Sequence, residues 1–433
     1  MVNSDPEIAE LINDALKSGP RQFYVPKYFS DKNEILEFLS YELPEIIIIN
    51  FSDPGIDIGQ IVSLIQNDKW ILNFGIIGIF RGEKASEESH LQKYKSINIL
   101  TMMDIRHLSS HLQKSIQIIE DNYQIIFQHE FARNFLTGVS GSLVIENDIF
   151  AVPLYAGIGA SILAQRGLIN PDNKALLQLA LAELIVNGIE HGNCGITYEE
   201  KTAGMEKGFS VVELVAERNK DPEVMKKKVE FMWEILADKT QFVIRDEGNG
   251  FDVKAHLEKV TKQDKLSQHG RGIRMASLLS TKLMYNKKGN QVTMILNHDD
   301  SIEQEVPAGF SQQEVHTFKT GDIILRENDP SDFLYYIISC KYSVYHKLKK
   351  VGVLHPQDIF MGEIAFLLNQ PRSASVRVDE PGKLVRLSRK ALVDIIRNYP
   401  HYGLFLSRLL ARRLVRANEQ NVALLEKEKL SKE

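Results

Sequence analysis

The chain has 433 residues, which is too long for a single hydrophobic core and predicts roughly two to four domains. Its charged fraction of 25% and net charge of -5 are ordinary for a globular protein and argue against a general attraction to nucleic acid or anionic membranes. We therefore expect partners that include neither nucleic acid nor a membrane. Cys194 and Cys340, its two cysteines, are too few for a disulfide framework, so we expect a cytoplasmic protein.

The N-terminal part of the sequence predicts a helix followed by an α/β domain. Residues 1–19 lack the basic and apolar regions of a signal peptide and have the pattern of a short amphipathic helix. Residues 20–104 alternate apolar runs with polar helical stretches, which is typical of a parallel sheet flanked by helices. The apolar runs are FYV, PEIIIIN, GIIGIF and INILTMM.

The run PEIIIINFSDPGID resembles the third strand and the following loop of response-regulator receiver domains, with Pro54 and Gly55 in the expected turn. Asn50 stands at the position of the phosphorylated aspartate, and its amide cannot accept a phosphoryl group. No acidic pair follows FYVP, and no lysine follows INILTMM. The resemblance therefore implies a degenerate receiver over 20–104, with a doubly wound sheet and no metal chemistry, that binds a partner or dimerises.

Residues 105–139 predict one long connecting helix, because apolar residues recur at helical spacing and the stretch 106–136 has neither glycine nor proline. We expect this helix to act as a connector or as the seam of a homodimer. His129, in QHEFARNF, is the candidate phosphate acceptor if the protein is a histidine kinase. The stretch lacks the proline typical of that motif, and too little chain separates it from Glu183 for a second long helix, so a structural role is the preferred interpretation.

The segment 140–298 contains a polar line within an apolar helix, followed by two glycine-rich turns. In LALAELIVNGIEHGNCG, helical spacing places Glu183, Asn187 and His191 on one face, about one turn apart. Taken alone, such a line is best explained as the polar outer face of a surface helix. RDEGNGFD and HGRGIRMASLL then follow, and glycines at a loop-to-helix junction let the backbone approach a phosphate. The order of these segments favours a nucleotide site.

Together these segments resemble the N and G boxes of the Bergerat-fold ATPases, which include the histidine kinases. AELIVNGIEHGN and the compact spacing are most similar to the anti-sigma-factor serine kinases. The resemblance implies an α/β sandwich that binds ATP and Mg2+ on its helical face. The connection 200–236 is longer than is usual in the family, and an ordinary surface helix is the preferred interpretation over a partner-docking excursion.

The same resemblance implies a role for each matching residue. Asn187 would hold Mg2+, because hard cations prefer oxygen ligands, and Glu183 would be the general base for the attacking hydroxyl or water. Asp246 would accept a hydrogen bond from the adenine amino group, supported by Thr293 in QVTMIL. The remaining predicted ATP contacts are His191, Gly248, Gly250, Gly270, Arg271 and Gly272.

Residues 307–433 follow a linker at 299–306, contain many short apolar runs with turn signals, and end in a charged amphipathic helix. The stretch DIFMGEIAFLLNQPRSASVRV resembles the phosphate-binding cassette of cyclic-nucleotide-binding domains, and FKTGDIILRENDPSDFLYYIIS is similar to their preceding β-roll. The resemblance implies a β-roll with helices that binds cAMP or cGMP. The implied contacts are the Glu363 carboxylate with the ribose hydroxyl, the Gly362 backbone, the Arg372 guanidinium with the cyclic phosphate, and the amides of Ser373 and Ala374.

The β-roll turns depart from the family at positions that usually hold glycine, namely Asn328, Cys340 and Gln357. Asparagine tolerates a positive φ, whereas cysteine and glutamine adopt it at an energetic cost. Ser375 stands where some family members use threonine to contact guanine, but it does not decide between cAMP and cGMP.

We predict a multidomain α/β and α+β protein made of a receiver-like doubly wound sheet, a Bergerat α/β sandwich and a C-terminal β-roll with helices. The predicted function is that of an ATP-binding serine/threonine protein kinase of the anti-sigma-factor type, regulated by cAMP or cGMP in cytoplasmic signalling. Its expected partner is a regulatory protein similar to an anti-sigma antagonist or a sigma factor. Two alternatives stay open: a histidine kinase that autophosphorylates on a histidine, and a non-catalytic module that captures a partner when ATP and cyclic nucleotide bind.

Overall fold

The computed structural model describes residues 1–17, 25–42, 44–67, 74–82, 84–95, 97–122, 139–236, 238–251, 279–298 and 306–411, together with residues 253, 276 and 414. The chain divides into two units. Unit 1 comprises Met1–Ser30, Ile46–Val62 and Gly75–Ile302, and unit 2 comprises Asp31–Glu45, Ser63–Phe74 and Glu303–Glu433. In the described part of the chain, no helix is both long and apolar enough to cross a bilayer.

Unit 1 begins with a parallel sheet whose strands pair in chain order, namely β1 (Ile46–Asn50), β2 (Gly75–Phe80) and β3 (Ile99–Asp104). Parallel bridges extend the sheet from Ile49 to Val2 and from Val2 to Phe29. Numbered along the chain from Val2, the order across the sheet is 2-1-3-4-5, which is an order found in doubly wound sheets. The sequence pattern predicted the first strand at FYV, of which Val25 lies in no strand and residues 23 and 24 lie outside the described residues.

The helices of this part of the sequence are α1 (Pro6–Lys17), α2 (Lys32–Glu42), α3 (Ile58–Asn67), α4 (Lys84–Lys93) and α5 (Leu108–Asp121). Helix α1 has the predicted amphipathic character, because Ile8, Ile12 and Leu16 are buried at helical spacing. Helix α2 belongs to unit 2, whereas the strands of the parallel sheet belong to unit 1.

Helix α5 replaces the long connector that the sequence predicted. A 3-10 turn precedes it, where the Asp104 side chain accepts from the Arg106 amide at 2.8 Å, and the helix ends at Asp121. The prediction of one helix over 105–139 is therefore wrong, and residues 123–138, which include His129, lie outside the described residues. Leu112 and Ile119 of α5 are fully buried, so the helix is part of the core of unit 1.

The rest of unit 1 is an antiparallel sheet of order β4-β5-β6-β8-β7, covered by helices α6 (Val152–Gln165) and α7 (Pro171–Asn187). Burial alternates along β5, β6 and β8, so Phe231, Phe242 and Met294 share one face and are fully buried beside the helices. The strands are β4 (Val139–Ile145), β5 (Val229–Ile235), β6 (Lys239–Asp246), β7 (Lys282–Tyr285) and β8 (Gln291–Asn297).

A helical excursion connects α7 to β5. It consists of the short helices α8 (Tyr198–Glu206), α9 (Val211–Arg218) and α10 (Pro222–Met225). Thr197 and Ser210 form capping boxes at the first two helices, and the Asp221 side chain caps the third. The segment 200–236 is therefore not the single surface helix that the sequence favoured, because side-chain caps divide it and its last residues form β5.

The parallel and antiparallel parts of unit 1 share one hydrophobic core, so the predicted boundary between 20–104 and 140–298 does not coincide with a break in packing. Polar contacts reinforce the joint between β3 and α7. Gln178 Nε2 donates to the Leu100 carbonyl at 3.1 Å, and Lys174 Nζ donates to the Ile99 carbonyl at 3.2 Å and to Asn98 Oδ1 at 2.7 Å. Burial lowers the pKa of Lys174 from its ordinary value of 10.5 to about 7.

Unit 2 contains two antiparallel sheets of order β10-β15-β12-β13 and β14-β11-β16-β9, which form the predicted β-roll. Ile337, Tyr342 and Leu384 are fully buried between short strands. The strands are β9 (Val315–Phe318), β10 (Ile323–Leu325), β11 (Phe333–Ile337), β12 (Tyr342–His346), β13 (Lys349–Leu354), β14 (Phe360–Met361), β15 (Ser375–Val378) and β16 (Gly382–Ser388). Helices α11 (Glu363–Leu368) and α12 (Arg389–Asn398) complete the unit, followed by a helical stretch at 400–411.

The β-roll turns test the predicted departures from glycine. Asn328 and Cys340 have positive φ values of 72° and 75°, so the turns keep their geometry although a side chain is present. The prediction is wrong for Gln357, which lies in a 3-10 turn, and the positive φ of 65° falls on Ile359. A β-branched residue rarely adopts this conformation, so the chain is strained directly before β14.

We expect the stability of unit 1 to rise with pH between about pH 7 and 10 because of Lys174. In this range the unfolded chain, whose lysine has a pKa of 10.5, binds a proton that the folded chain does not bind. Each pH unit then adds up to about 1.4 kcal/mol to the free energy of unfolding. Below this range the lysine is protonated in both states, and its contribution stays constant.

Lys174→Met should remove this pH dependence. Denaturant unfolding is followed by the fluorescence of Trp233, which is buried in β5, in a Trp70→Phe background. The difference in free energy of unfolding between parent and variant should change steadily across this pH range. Parallel pH profiles would contradict the prediction.

Candidate functional site

The last two turns of helix α7 carry the predicted catalytic pair. Leu184 and Ile185 are buried in the core of unit 1. Glu183 is exposed and Asn187 is half-buried, and their spacing of one turn places both on the side of the helix that faces away from the core. The structure therefore brings these two side chains onto one accessible face, as predicted from the sequence.

Beyond Asn187 the helix changes to a π-turn, Gly188–Asn193. Its wider i to i+5 bonding lowers the rotation per residue, and His191 is exposed, as Glu183 is. His191 Nδ1 lies 2.6 Å from the Ile196 carbonyl oxygen, which fixes the ring against its own turn. The shared face of His191 with Glu183 and Asn187, and its contact with ATP, stay predictions.

Asp246, the predicted adenine acceptor, ends β6 against this π-turn. A Cβ atom at Gly192 would lie 2.3 Å from Asp246 Cγ, and one at Gly248 would lie 2.3 Å from the Gly192 carbonyl oxygen. Asp246 Oδ1 accepts from the Gly248 amide at 2.8 Å. Burial raises the pKa of the Asp246 carboxyl, and the Gly248 amide and Lys288 partly offset the rise. Glycine is therefore required where the turn and the strand end meet.

Gly250 serves a second close approach. Its φ is 77°, and a Cβ atom there would lie 1.9 Å from the Lys288 carbonyl oxygen. The Phe251 amide donates to the same carbonyl at 3.1 Å, so the turn after β6 is fastened to the turn between β7 and β8. The predicted phosphate contacts Gly270, Arg271 and Gly272 lie outside the described residues and stay predictions.

Thr293 does not support Asp246. It pairs with Val243 across β6 and β8, whereas the residues that face the helices are the alternate ones, Val292 and Met294. Because side chains alternate along a strand, Thr293 points to the opposite face of the sheet. The sequence pattern identified the correct strand, but the prediction for Thr293 is wrong because register decides which face a residue occupies.

The described residues fit a nucleotide with a hard metal ion. The Asp246 carboxylate offers an acceptor beside glycines, which suits an amino group on a flat base. Asn187 offers an amide oxygen, and no group of three or more His, Cys, Asp or Glu among the described residues forms a metal cluster. Mg2+ commonly binds through few protein ligands together with phosphate oxygens and water, so one amide oxygen is compatible with it.

Two buried polar residues of the π-turn were not predicted from the sequence. Glu190 is fully buried, and its Oε2 accepts from Lys201 Nζ of α8 at 2.8 Å. Asn193 is buried and donates to Asn147 Oδ1 at 2.9 Å. Their partners Lys201 and Asn147 lie 11 and 46 positions away and follow no helical or strand period, so no pattern in the sequence marks these pairs.

In unit 2, Gly362 and Arg372 form the centre of the predicted phosphate site. Gly362 adopts a left-handed conformation with φ 79°, and a Cβ atom there would lie 2.4 Å from Arg372 Nη1. Arg372 is 4% exposed and donates to the Gly362 carbonyl at 2.8 Å and to the Phe333 carbonyl. Its Nε atom is buried with no hydrogen-bond acceptor among the described residues. Burial lowers the pKa of this guanidinium.

The other predicted contacts in unit 2 lie beside these two residues. Glu363 is buried at the first position of α11, directly after Gly362. Ser373 is exposed and Ala374 is half-buried, and both directly follow Arg372. The other three predicted contacts are therefore neighbours in sequence of Arg372 or of Gly362, whose carbonyl Arg372 holds.

The carboxyl edge of the parallel sheet is closed by its own polar groups. Asn50, at the end of β1, is buried and donates to Asn3 Oδ1 at 2.9 Å. Asp53 Oδ1 accepts from Ser4 Oγ at 2.6 Å. Ligands of α/β sheets usually bind at this edge, and here the side chains bind one another.

Comparison with known proteins identifies two domain types in the chain. Residues 152–296 match the family model of the histidine kinase-like ATPase domain, and residues 315–399 match that of the cyclic nucleotide-binding domain. The protein therefore combines an ATPase-like domain with a regulatory module whose ligand class is cyclic nucleotides.

Curated relatives match parts of the chain. It is 37% identical over 87 residues to a cGMP-dependent protein kinase of Eimeria tenella, covering 20% of this chain and 9% of that protein. It is 32% identical over 154 residues to a cAMP-dependent protein kinase regulatory subunit of Dictyostelium discoideum, covering 32% of this chain and 46% of that protein. The chain thus spans less than half the length of these relatives.

Solved structures match a similar share of the chain. The catabolite activator protein of Thermus thermophilus is 27% identical, with a TM-score of 0.25, and the match covers 27% of this chain and 56% of that chain. A cyclic nucleotide-binding domain from Methylobacillus flagellatus is 26% identical, with a TM-score of 0.24, covering 27% of this chain and 68% of that chain.

We expect Gly192→Ala to weaken ATP binding. The new methyl group would overlap the Asp246 carboxyl carbon, where the separation is 2.3 Å, so the turn or the carboxylate must move. The displaced carboxylate would then lose its hydrogen bond to the adenine amino group, which costs about 1.5–3 kcal/mol, or about 10- to 150-fold in affinity.

Gly188→Ala is the matched control, because it makes the same substitution at the start of the same turn. A Cβ atom at Gly188 meets its nearest neighbour at 3.4 Å, which is an ordinary contact. Calorimetric titration with ATP should show a loss for Gly192→Ala and near-parental affinity for Gly188→Ala. Equal affinities in the two variants would argue against the packing of Asp246 on Gly192.

Proposed function

We propose that this protein is an ATP-dependent serine/threonine protein kinase of the anti-sigma-factor type, regulated by cAMP or cGMP. Its substrate would be a cytoplasmic regulatory protein similar to an anti-sigma antagonist or a sigma factor. The observation that carries the proposal is the packing of the Asp246 carboxylate against the turn that follows Glu183 and Asn187. The two matched domain types support the combination of ATP use with cyclic nucleotide control.

Glu183 would act as the general base. Its exposed position on α7 allows the hydroxyl group of another protein to reach it from solvent. Accepting the hydroxyl proton makes that oxygen a better nucleophile toward the terminal phosphoryl group. Mg2+, held by Asn187 and the phosphates, would neutralise charge on the phosphoryl groups when bound.

Asp246 would select the base. Its Oδ1 already accepts from the Gly248 amide, which orients the carboxylate at the end of β6. The adenine amino group donates, and a carboxylate only accepts when ionised, so the pairing is complementary. Partial burial strengthens this pairing because water competes less for the carboxylate.

Arg372 would sense the cyclic phosphate. Its buried Nε atom lacks an acceptor among the described residues, so a phosphate oxygen would satisfy it. Its Nη1 atom holds the Gly362 carbonyl directly before α11. A phosphate bound at Nε would turn the guanidinium. Because Nη1 of the same group holds the Gly362 carbonyl, α11 would shift with it, and this shift is the proposed origin of regulation.

The N-terminal sheet is proposed to be a degenerate receiver that binds a partner or mediates dimerisation. Its strand order supports a doubly wound sheet. Asn50 occupies the predicted phosphorylation position, and its side-chain amide donates a hydrogen bond to Asn3 Oδ1. Because an amide cannot accept a phosphoryl group, this part of the protein would act through its surface.

The decisive experiment is incubation of the full chain with radiolabelled ATP and candidate regulatory proteins, with and without cAMP or cGMP. Acid-stable phosphate on serine or threonine of a candidate, changed in amount by a cyclic nucleotide, supports the proposal. Acid-labile phosphate on this chain would favour the histidine kinase instead. ATP binding without any transfer would favour the non-catalytic module.

Glu183→Gln should separate chemistry from binding. The amide keeps the shape of the side chain but cannot take a proton, so phosphoryl transfer should fall by about 100-fold or more while ATP affinity stays near the parental value. Glu199→Gln, at an exposed position in α8, is the control and should behave as the parent. Unchanged turnover in Glu183→Gln would exclude the general-base role.

Arg372→Ala should abolish cyclic nucleotide binding and its effect on ATP binding. If the two sites are coupled, ATP changes cyclic nucleotide affinity by the same factor as the reverse, typically about 5- to 150-fold. Binding isotherms for cAMP and cGMP at zero and saturating ATP measure this factor. Arg377→Ala is the control, because that exposed side chain lies on β15 and donates to Tyr345 Oη at 2.8 Å. Superimposable parental curves would refute regulation.

A further inference from the structure

The helical excursion 198–228 is fastened to the π-turn of the nucleotide site by buried polar contacts. One attachment joins Lys201 of α8 to the fully buried Glu190 at 2.8 Å. A second joins Lys227 Nζ to the Asn193 carbonyl at 3.2 Å. The excursion therefore contacts the turn at two points that are separate in sequence.

A third attachment is a chain of asparagine side chains. Asn219, the residue after α9, donates to the Asn147 carbonyl at 2.9 Å. Asn147 Nδ2 donates to Asn219 Oδ1 at 3.2 Å and to the Val224 carbonyl at 2.9 Å. Asn147 Oδ1 in turn accepts from Asn193 Nδ2 at 2.9 Å. Asn193 Oδ1 accepts from the Glu247 amide at 2.8 Å. The chain of hydrogen bonds thus ends at the residue next to Asp246.

Burial fixes the orientation of the asparagine side chains in this chain of hydrogen bonds. Asn147 is 6% exposed and Asn193 is 1% exposed, so their amides cannot exchange freely with water. A buried amide that loses its partner is costly, which restricts each side chain to one orientation. Asn193 is also adjacent to Gly192, on which the Asp246 carboxyl rests. The chain therefore fixes both sides of that carboxylate, the turn on one side and the Glu247 backbone on the other.

We propose that the excursion is a positioning element for base recognition, and that Asn219, Asn147 and Asn193 are positioning residues that hold Asp246 in line with the adenine amino group. The inference rests on the proposed ATP site. It assigns a role to the long connection between the nucleotide helix and β5. Removing the hydrogen bonds of Asn219, at the end of the asparagine chain that is farthest from Asp246, should reduce the preference for adenine. The substitution removes no group that touches ATP.

The test compares ATP with inosine triphosphate, whose base carries a carbonyl where adenine carries its amino group. Affinities of the full chain for both nucleotides are measured by calorimetry in the parent, in Asn219→Ala and in Ser210→Ala. Asn219 is half-buried, so its replacement should leave the chain folded, and thermal unfolding followed by Trp233 fluorescence verifies this. Ser210→Ala is the matched control, because it removes the cap at the other end of α9 without touching Asn147.

In the parent, ATP should bind more tightly than inosine triphosphate. Asn219→Ala should reduce this preference by about fivefold, the effect of one net hydrogen bond, whereas Ser210→Ala should preserve it. An equal loss of affinity for both nucleotides in Asn219→Ala would indicate a merely structural role and overturn the inference. An unchanged preference in Asn219→Ala, or an equal fall in Ser210→Ala, would also overturn it. A parent that binds neither nucleotide would overturn the proposed function and this inference together.

Discussion

The close approach between the π-turn and the end of β6 is the constraint on which the nucleotide site depends. Asp246 can stand against the turn only because Gly192 and Gly248 lack side chains, since a Cβ atom at either would come within 2.3 Å of its neighbour. The π-turn that follows Asn187 supplies Gly192 to this contact. One local change of helical geometry therefore places the end of β6 beside the predicted catalytic pair.

Buried polar groups at the joints of the fold form hydrogen bonds between different elements. Removing a charge from water is unfavourable unless hydrogen bonds replace the lost hydration. Lys174 donates to Asn98 and to a backbone carbonyl, and Glu190 Oε2 accepts from Lys201. Arg372 donates to the Gly362 carbonyl, while its Nε atom has no acceptor among the described residues. Each such group fixes the relative position of two elements more strictly than apolar contact does. The functional elements are held in place by these polar joints rather than by apolar packing alone.

The N-terminal sheet is part of the structural support of the nucleotide helix. Leu100 of β3 lies against α6 so closely that a Cβ atom at Gly157 would be 1.8 Å from its carbonyl oxygen. Gln178 of α7 donates to the same carbonyl. A partner that shifts β3 would therefore press on the helix that carries Glu183, because packed cores transmit displacement. The sheet is rigidly joined to the helical layer, although its own ligand edge is closed.

The sequence by itself determined many of the local elements and the residue types available at both candidate sites. Apolar periodicity located α7 and β6, and the glycines around Asp246 and Arg372 marked close backbone approaches, because these signals depend on neighbouring residues in the chain. Tertiary structure alone decided the rest. Register placed Thr293 on the wrong face for its predicted role, and the asparagine chain joined residues more than 70 positions apart, as from Asn147 to Asn219. Such pairings depend on how distant segments meet in space, and no local period encodes them.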